Sequence, residues 1–212
     1  MTSLETSPGP HPSRTKLLDA SLHVIRSRGY SATRIEDVCA EAGLTKGSFF
    51  HHFRTKEELA VAAADHFGRM AEGVFAAAPY RELSDPVDHL LGYVEFRQSI
   101  LERPIPEFTC LLGTMVQETY DTHPAIRDAC DRNISAHAHE LERDVESARE
   151  MYAPDADWTP ESLALHTQAV IQGAFVLAKA KGSSEVAVEM LGHLRRYLGL
   201  LFGRSDPARS RG

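Results

Sequence analysis

Apolar residues along this chain recur at every third and fourth position and almost nowhere at every second. That spacing gathers them on one side of a helix, so the pattern predicts an all-α protein of about nine helices. The first covers about 14–28, with Leu17, Leu18, Leu22 and Ile25 on one face. The others follow over about 34–42, 46–52, 56–76, 86–102, 106–120, 124–152, 160–181 and 184–202. Their starts carry capping chemistry. Thr33-Arg34-Ile35-Glu36 and Thr55-Lys56-Glu57-Glu58 fit a capping box, a hydroxyl followed three residues later by a carboxylate. Asp85-Pro86 and Thr159-Pro160 put a capping residue before a proline at the first helical position. Ends fall at Gly29, Gly43, Gly182 and Gly203, or just before Pro79 and Pro104. The segment 56–76 is too regular for a loose linker. It reads as one helix shared by a small head (14–60) and a larger body (61–203), with tails at 1–13 and 204–212.

Two short helices meet at Ala42-Gly43-Leu44-Thr45, and a short glycine-containing turn between short helices is the helix-turn-helix signature. Ile35, Val38, Ala42, Phe49 and Phe53 face inward and Leu44 seals the turn. Lys46, Gly47, Ser48, Phe50, His51 and His52 remain on the outer side. Such a helix reads the major groove with the side chains of its N-terminal turn. Lys46 can donate to guanine, Phe50 can touch a thymine methyl, and Gly47 lets the backbone approach. Thr33, Arg34, Thr45 and Lys56 stand at helix starts, where free N–H groups meet phosphates.

Charge agrees with this division. The chain of 212 residues has a formal net charge of -7. Residues 1–56 nevertheless hold eight Lys or Arg against five acids, and the remainder holds 15 against 25. A basic head on an acidic body implies that the head meets an anion.

The stretch GYSATRIEDVCAEAGLTKGSFFHHFRTKEEL resembles the N-terminal domain of the tetracycline-repressor (TetR-like) transcription regulators. The resemblance covers about 14–60. It implies that the second short helix enters the major groove and that Lys46, Gly47, Ser48, Phe50, His51 and Lys56 meet double-stranded DNA, with Arg34 on a phosphate. Family members carry tyrosine where this chain has Phe50, so a hydroxyl contact is absent here. Cys39, where the family has alanine, is read as a small buried residue.

One reading helix specifies little, and two copies about a twofold axis read a palindrome. The resemblance implies a homodimer through the last two helices, with Val170, Ala174, Ala178, Leu194, Tyr197, Leu198 and Leu201 at the interface. The alternative is that these faces pack within one chain. The middle helices are expected to enclose a small-molecule effector, with Phe67, Tyr93, Phe96, Phe108, Cys110, Met115, Gln117, Tyr120, Trp158 and His166 as candidate lining residues. Each of these also suits ordinary core packing.

Cys110 has a separate reading. If a helix starts near Pro106, its dipole favours a thiolate there, against the opposing charge of Glu107. The rival is a plain buried thiol.

Other function classes lack their motifs. Eleven histidines occur, yet there is no His-Glu-x-x-His, no Cys-x-x-Cys and no glycine-rich phosphate loop. No metal, cofactor or enzymatic activity is therefore expected. No run is long enough to span a bilayer, and MTSLETSPGPHPSR has neither the basic start nor the apolar stretch of a signal peptide. Cys39, Cys110 and Cys130 are odd in number and unrelated in spacing, which fits a reducing cytoplasm. The reading is a ligand-responsive dimeric repressor that leaves a palindromic operator when a small molecule binds the body. The alternative is a DNA-binding module without a pocket, controlled by cysteine oxidation, electrophile modification or a protein partner.

Overall fold

The structure is a computed structural model and describes residues 11–204. Among these are ten α-helices and no strand. They are α1 (Pro12–Arg28), α2 (Ile35–Ala42), α3 (Lys46–His52), α4 (Lys56–Ala76), α5 (Pro86–Ile100), α6 (Ile105–Phe108), α7 (Leu111–Thr119), α8 (Pro124–Tyr152), α9 (Pro160–Lys181) and α10 (Glu185–Leu201), with a 3-10 turn at Pro79–Glu82. The expected tails are shorter than 1–13 and 204–212. The His11 ring accepts from Ser13 N and α1 begins at Pro12. At the other end Arg204 pairs with Asp85 at 2.6 Å. The rest of both segments lies outside the described residues.

Helix starts follow the capping logic, with one shift. Thr45, Thr55 and Thr159 accept from the N–H groups of Ser48, Glu58 and Ser162, and Asp85 accepts from Val87 and Asp88. The box expected at Thr33 and Glu36 instead joins Arg34 N to the Asp37 carboxylate at 3.0 Å. Thr33 turns inward and donates to Gly29 O at 2.6 Å.

The single helix expected over 106–120 is two. Thr109 and Cys110 both take extended backbone between α6 and α7. The reason is packing. Phe108 belongs to the apolar core of the body, whereas Leu111 and Leu112 belong to that of the head. At helical spacing the three would share one face, so the chain breaks to serve two cores.

The head core joins Leu17, Leu18, Ile25, Val38, Phe49, Phe53 and Leu59, all at most 2% exposed. It does not stop at the head. Leu111, Leu112 and Met115 of α7, with Ile126, Ala129 and Cys130 of α8, fill the same cluster. The body core lies between α5, the C-terminal half of α8, α9 and α10. Helix α4 packs along α8 and against α1, so it connects both cores.

Candidate functional site

The turn between α2 and α3 is built as the glycine demands. Gly43 has φ 64° and ψ 35°, a left-handed conformation that side chains with a Cβ rarely adopt. Leu44 N then donates to Cys39 O at 2.9 Å, and α3 starts at once. Phe49 and Phe53 are buried under it. Lys46, Gly47, Phe50 and His51 are exposed and Ser48 is half-buried. Phe50 is 55% exposed, an apolar ring that meets Phe49 at 5.2 Å between ring centres and turns the rest of its surface outward. Lys46 pairs with Glu36 across the turn. That contact holds the Glu36 carboxyl below its ordinary range.

Not every expected reading residue stands on this surface. Thr33 is 2% exposed, with its hydroxyl spent on Gly29, so its side chain is structural. Lys56 is half-buried, and its ammonium donates to Tyr30 O and Thr33 O at 3.0 Å each. It also lies 4.2 Å from the Tyr30 ring centroid. It therefore ties the start of α4 to the α1–α2 loop and has one N–H left to offer. His52 Nε2 lies 2.6 Å from Ser13 Oγ, and burial, then the neighbouring His51, His11 and Arg14, push its pKa down. Arg34 is exposed at the start of α2.

Beneath the head lies a cavity of about 910 Å³, lined from α1, α4, α5, α6, α7, α8 and α9. Of the ten residues expected in such a pocket, Phe67, Phe96, Phe108 and Cys110 line it. Tyr93 stands just behind its wall. The other five are elsewhere. Met115 is wholly buried in the head core. Gln117 is exposed and folds back onto Gly113 O, and Tyr120 is 63% exposed. Trp158 packs edge-on against Phe202, and the His166 ring lies 5.2 Å from that of Tyr197 on the outside of α9 and α10.

Sequence reasoning missed the polar centre of this cavity. Arg97 Nε donates to Tyr93 OH at 3.1 Å, and Arg97 Nη2 donates to His137 Nε2 at 2.9 Å. Gln168 Nε2 donates to Tyr93 OH at 2.9 Å, which leaves the phenol proton to share the one lone pair of His137 Nε2, at 3.0 Å, with Arg97. His137 must be neutral to accept them. Burial, then Arg97 and Arg81, push it down to about 3. Arg26 crosses from α1, donates to Leu22 O and Glu107 O, and is lowered by burial although it stays a cation.

Cys110 is half-buried and caps α7, its sulfur accepting from Gly113 N at 3.5 Å. Cys39 and Cys130 are buried. Burial pushes both thiols up, Cys130 to about 12. At the far end of α7 the Glu118 carboxylate accepts from Tyr30 N at 3.1 Å and Ser31 N at 2.8 Å. One short helix thus runs from the cavity wall to the head.

The interface residues expected on α9 and α10 need correction. Ala174, Ala178, Leu194 and Leu198 are at most 2% exposed and fill the body core, while Val170 and Leu201 pack against it. Only Tyr197 of that set faces out. The exposed apolar side chains of these helices are Leu165, Val176, Leu177, Val188, Tyr197 and Leu200, the last at 76%. Among the described residues, no helix is long and apolar enough to cross a membrane.

The family model for bacterial regulatory proteins of the tetR family matches residues 17–63. A second, for the tetracyclin repressor-like C-terminal domain, matches residues 86–194. The chain is 25% identical over 199 residues to the HTH-type transcriptional repressor NemR of Escherichia coli K12, covering 89% of this chain and 94% of that one. It is 29% identical over 119 residues to the uncharacterized HTH-type transcriptional regulator YxaF of Bacillus subtilis, a match spanning 56% of this chain and 62% of that relative. In fold it superposes on the regulatory protein TetR from Rhodobacter sphaeroides with a TM-score of 0.78, at 21% identity, over 91% of this chain and all of the other.

Proposed function

The chain belongs to the tetR family of bacterial regulatory proteins, and from that membership we propose a dimeric repressor that reads a palindromic operator and leaves it when an effector fills the cavity. That it is a ligand-responsive DNA-binding regulator follows from the family. The operator symmetry, the effector and the interface are our reading.

One observation carries the DNA-reading part. Lys46, Gly47, Ser48 and the exposed Phe50 sit on one outward surface of a helix whose opposite side is locked by Phe49 and Phe53. A helix so anchored presents its N-terminal turn to base edges. Arg34 suits a phosphate, and Lys56 serves chiefly to position α4. For the dimer we favour the outer sides of α9 and α10, where Leu165, Val176, Leu177, Val188, Tyr197 and Leu200 are exposed.

Release requires that the effector favour one body conformation over another, and it can shift the balance only by that difference in affinity. Two elements suit transmission. Helix α4 forms a cavity wall at Phe67, Gly68 and Phe75 and begins in the head. Helix α7 begins at Cys110 in the cavity wall and ends where Glu118 holds Tyr30 and Ser31. The volume of the cavity supports this reading over a module without a pocket.

The test is selection of random duplexes by the purified full chain at physiological salt. Enrichment of a palindrome with half-sites about one helical turn apart is the expected result. Weak, salt-sensitive binding without enrichment would refute the operator reading.

A further inference from the structure

Resting on the reading of the cavity as the effector site, we propose that the effector is a flat apolar molecule carrying a carboxylate, and that Arg97 grips the carboxylate. Arg97 is half-buried and stacks with its guanidinium 4.3 Å from the centre of the Phe75 ring. Its Nε and Nη2 are used by Tyr93 and His137. Its Nη1 has no partner among the described residues, and no carboxylate lies within 4.0 Å. A half-buried guanidinium without a counter-ion gains by acquiring one. Its planar fork is matched by a carboxylate.

The neighbours do not neutralise it. His137 and Tyr93 offer it uncharged acceptors. Arg81 is already balanced by Asp144 at 3.1 Å. Arg26, also lining the cavity, is another cation without a carboxylate within 4.0 Å among the described residues. The acids that line the cavity, Glu72, Glu107 and Glu140, are all solvent-exposed, where water already serves them. Glu107 does act on Arg26 from there and partly offsets the burial that lowers its pKa, so Arg97 stands as a half-buried lining cation without a carboxylate partner among the described residues. Thr109 adds a second unmet group. It is 1% exposed, lines the cavity, and its hydroxyl has no hydrogen-bond partner.

The rest of the wall selects the body of the ligand. Phe67, Phe75, Phe96, Phe108 and Phe175 contribute to it, with Phe108 and Phe175 at 5.8 Å between ring centres. Aromatic walls favour flat apolar ligands. A cationic ligand would face Arg97 and Arg26 directly. A neutral ligand would leave both charges as they are.

The probes are naphthoate, naphthamide and naphthylmethylammonium, with the same three forms of biphenyl, titrated calorimetrically into the full chain at neutral pH. The carboxylate form is expected to bind at least about ten-fold tighter than the amide, as a charge-assisted bond exceeds a neutral one. Arg97→Gln should erase that preference, bringing carboxylate affinity down to that of the amide, while circular dichroism reports that the variant is folded. Amide or ammonium binding as tight as the carboxylate would overturn the proposal and leave the cavity reading standing, as would a carboxylate preference that survives Arg97→Gln. If no form of either scaffold binds, the cavity reading falls with it.

Discussion

Gly68 lies on α4 where that helix passes α8 and lines the cavity. A Cβ added there would overlap the Asn133 amide, with Cγ at 2.8 Å and Asn133 Cβ at 3.4 Å. Asn133 is not free to ignore it, because its amide donates to Asp65 Oδ1 at 3.0 Å and Ala129 O at 2.8 Å. In Gly68→Ala the amide must swing away. Two hydrogen bonds are lost at about 1 kcal/mol each, and the tight approach to Asn133 Cβ adds about 1 kcal/mol of overpacking. Removing a helix-interior glycine returns about 1 kcal/mol. The net cost is about 2 kcal/mol, or roughly 4–8 °C in Tm for a chain of this size. Gly73, on the same helix, has nothing within 4 Å of its added Cβ. Gly73→Ala should therefore stabilise, by up to about 1 kcal/mol. Thermal unfolding followed by circular dichroism, at one fixed protein concentration because association shifts Tm, compares the two. Adding Asn133→Ala to Gly68→Ala should cost little more, since both remove the same bonds. A Gly68→Ala protein that melts with Gly73→Ala, or a double variant that pays both costs in full, would refute this account of the α4–α8 contact.

Three further outcomes follow from named contacts. Lys46→Ala should cost about 1–3 kcal/mol at one operator position and relax preference there; an equal loss on every duplex would remove Lys46 from base reading. Glu118→Gln weakens the tie between α7 and the α1–α2 loop. Because Glu118 is exposed, the loss is set at about 1 kcal/mol, so operator release by a given effector should fall roughly five-fold while effector affinity holds; parallel loss of both would contradict a relay role. His137 has its pKa held at about 3 in the folded chain, against 6.5 ordinarily. Between those values the unfolded chain binds the extra proton, so stability falls as pH drops through that window, by at most about 1.4 kcal/mol per pH unit. His137→Gln should flatten that slope in urea titrations from neutral pH to mild acid, and an unchanged slope would mean that other groups set it.

The head was legible in the sequence because its parts are contiguous. Gly43, the Thr45 and Thr55 caps and two inward phenylalanines lie within 13 residues, and local chemistry fixes each. The cavity was not, because seven helices supply it. A signal did exist. Arg97 falls on the stripe Leu90, Val94, Leu101; His137 on the stripe Ile126, Cys130, Leu141; Gln168 on the stripe Ala164, Ile171, Phe175. A polar residue at a core position on three helices marks a polar site inside the body. Ala174, Ala178, Leu194 and Leu198, expected at a dimer interface, fill the body core instead, because α9 and α10 each carry apolar residues on two sides, and periodicity cannot say which side meets its own chain. The break at Thr109 was equally invisible, since it answers to two separate cores.

The continuous core under the head has a consequence for how such a chain can diverge. Leu111, Leu112, Met115, Ile126, Ala129 and Cys130 would be stripped of cover by exchange of residues 12–55 for another protein's head, unless the incoming helices matched them in shape. Recombination at the obvious seam is therefore barred by fit. Single substitutions on the exposed side of α3 meet less of this constraint: Gly47 stands clear of the core, Lys46 meets Glu36 across the turn, and only the Phe50 ring reaches a core residue, Phe49. In this chain the helix-turn-helix and the helices beside the cavity are thus one folding unit, and a change in one is felt by the other.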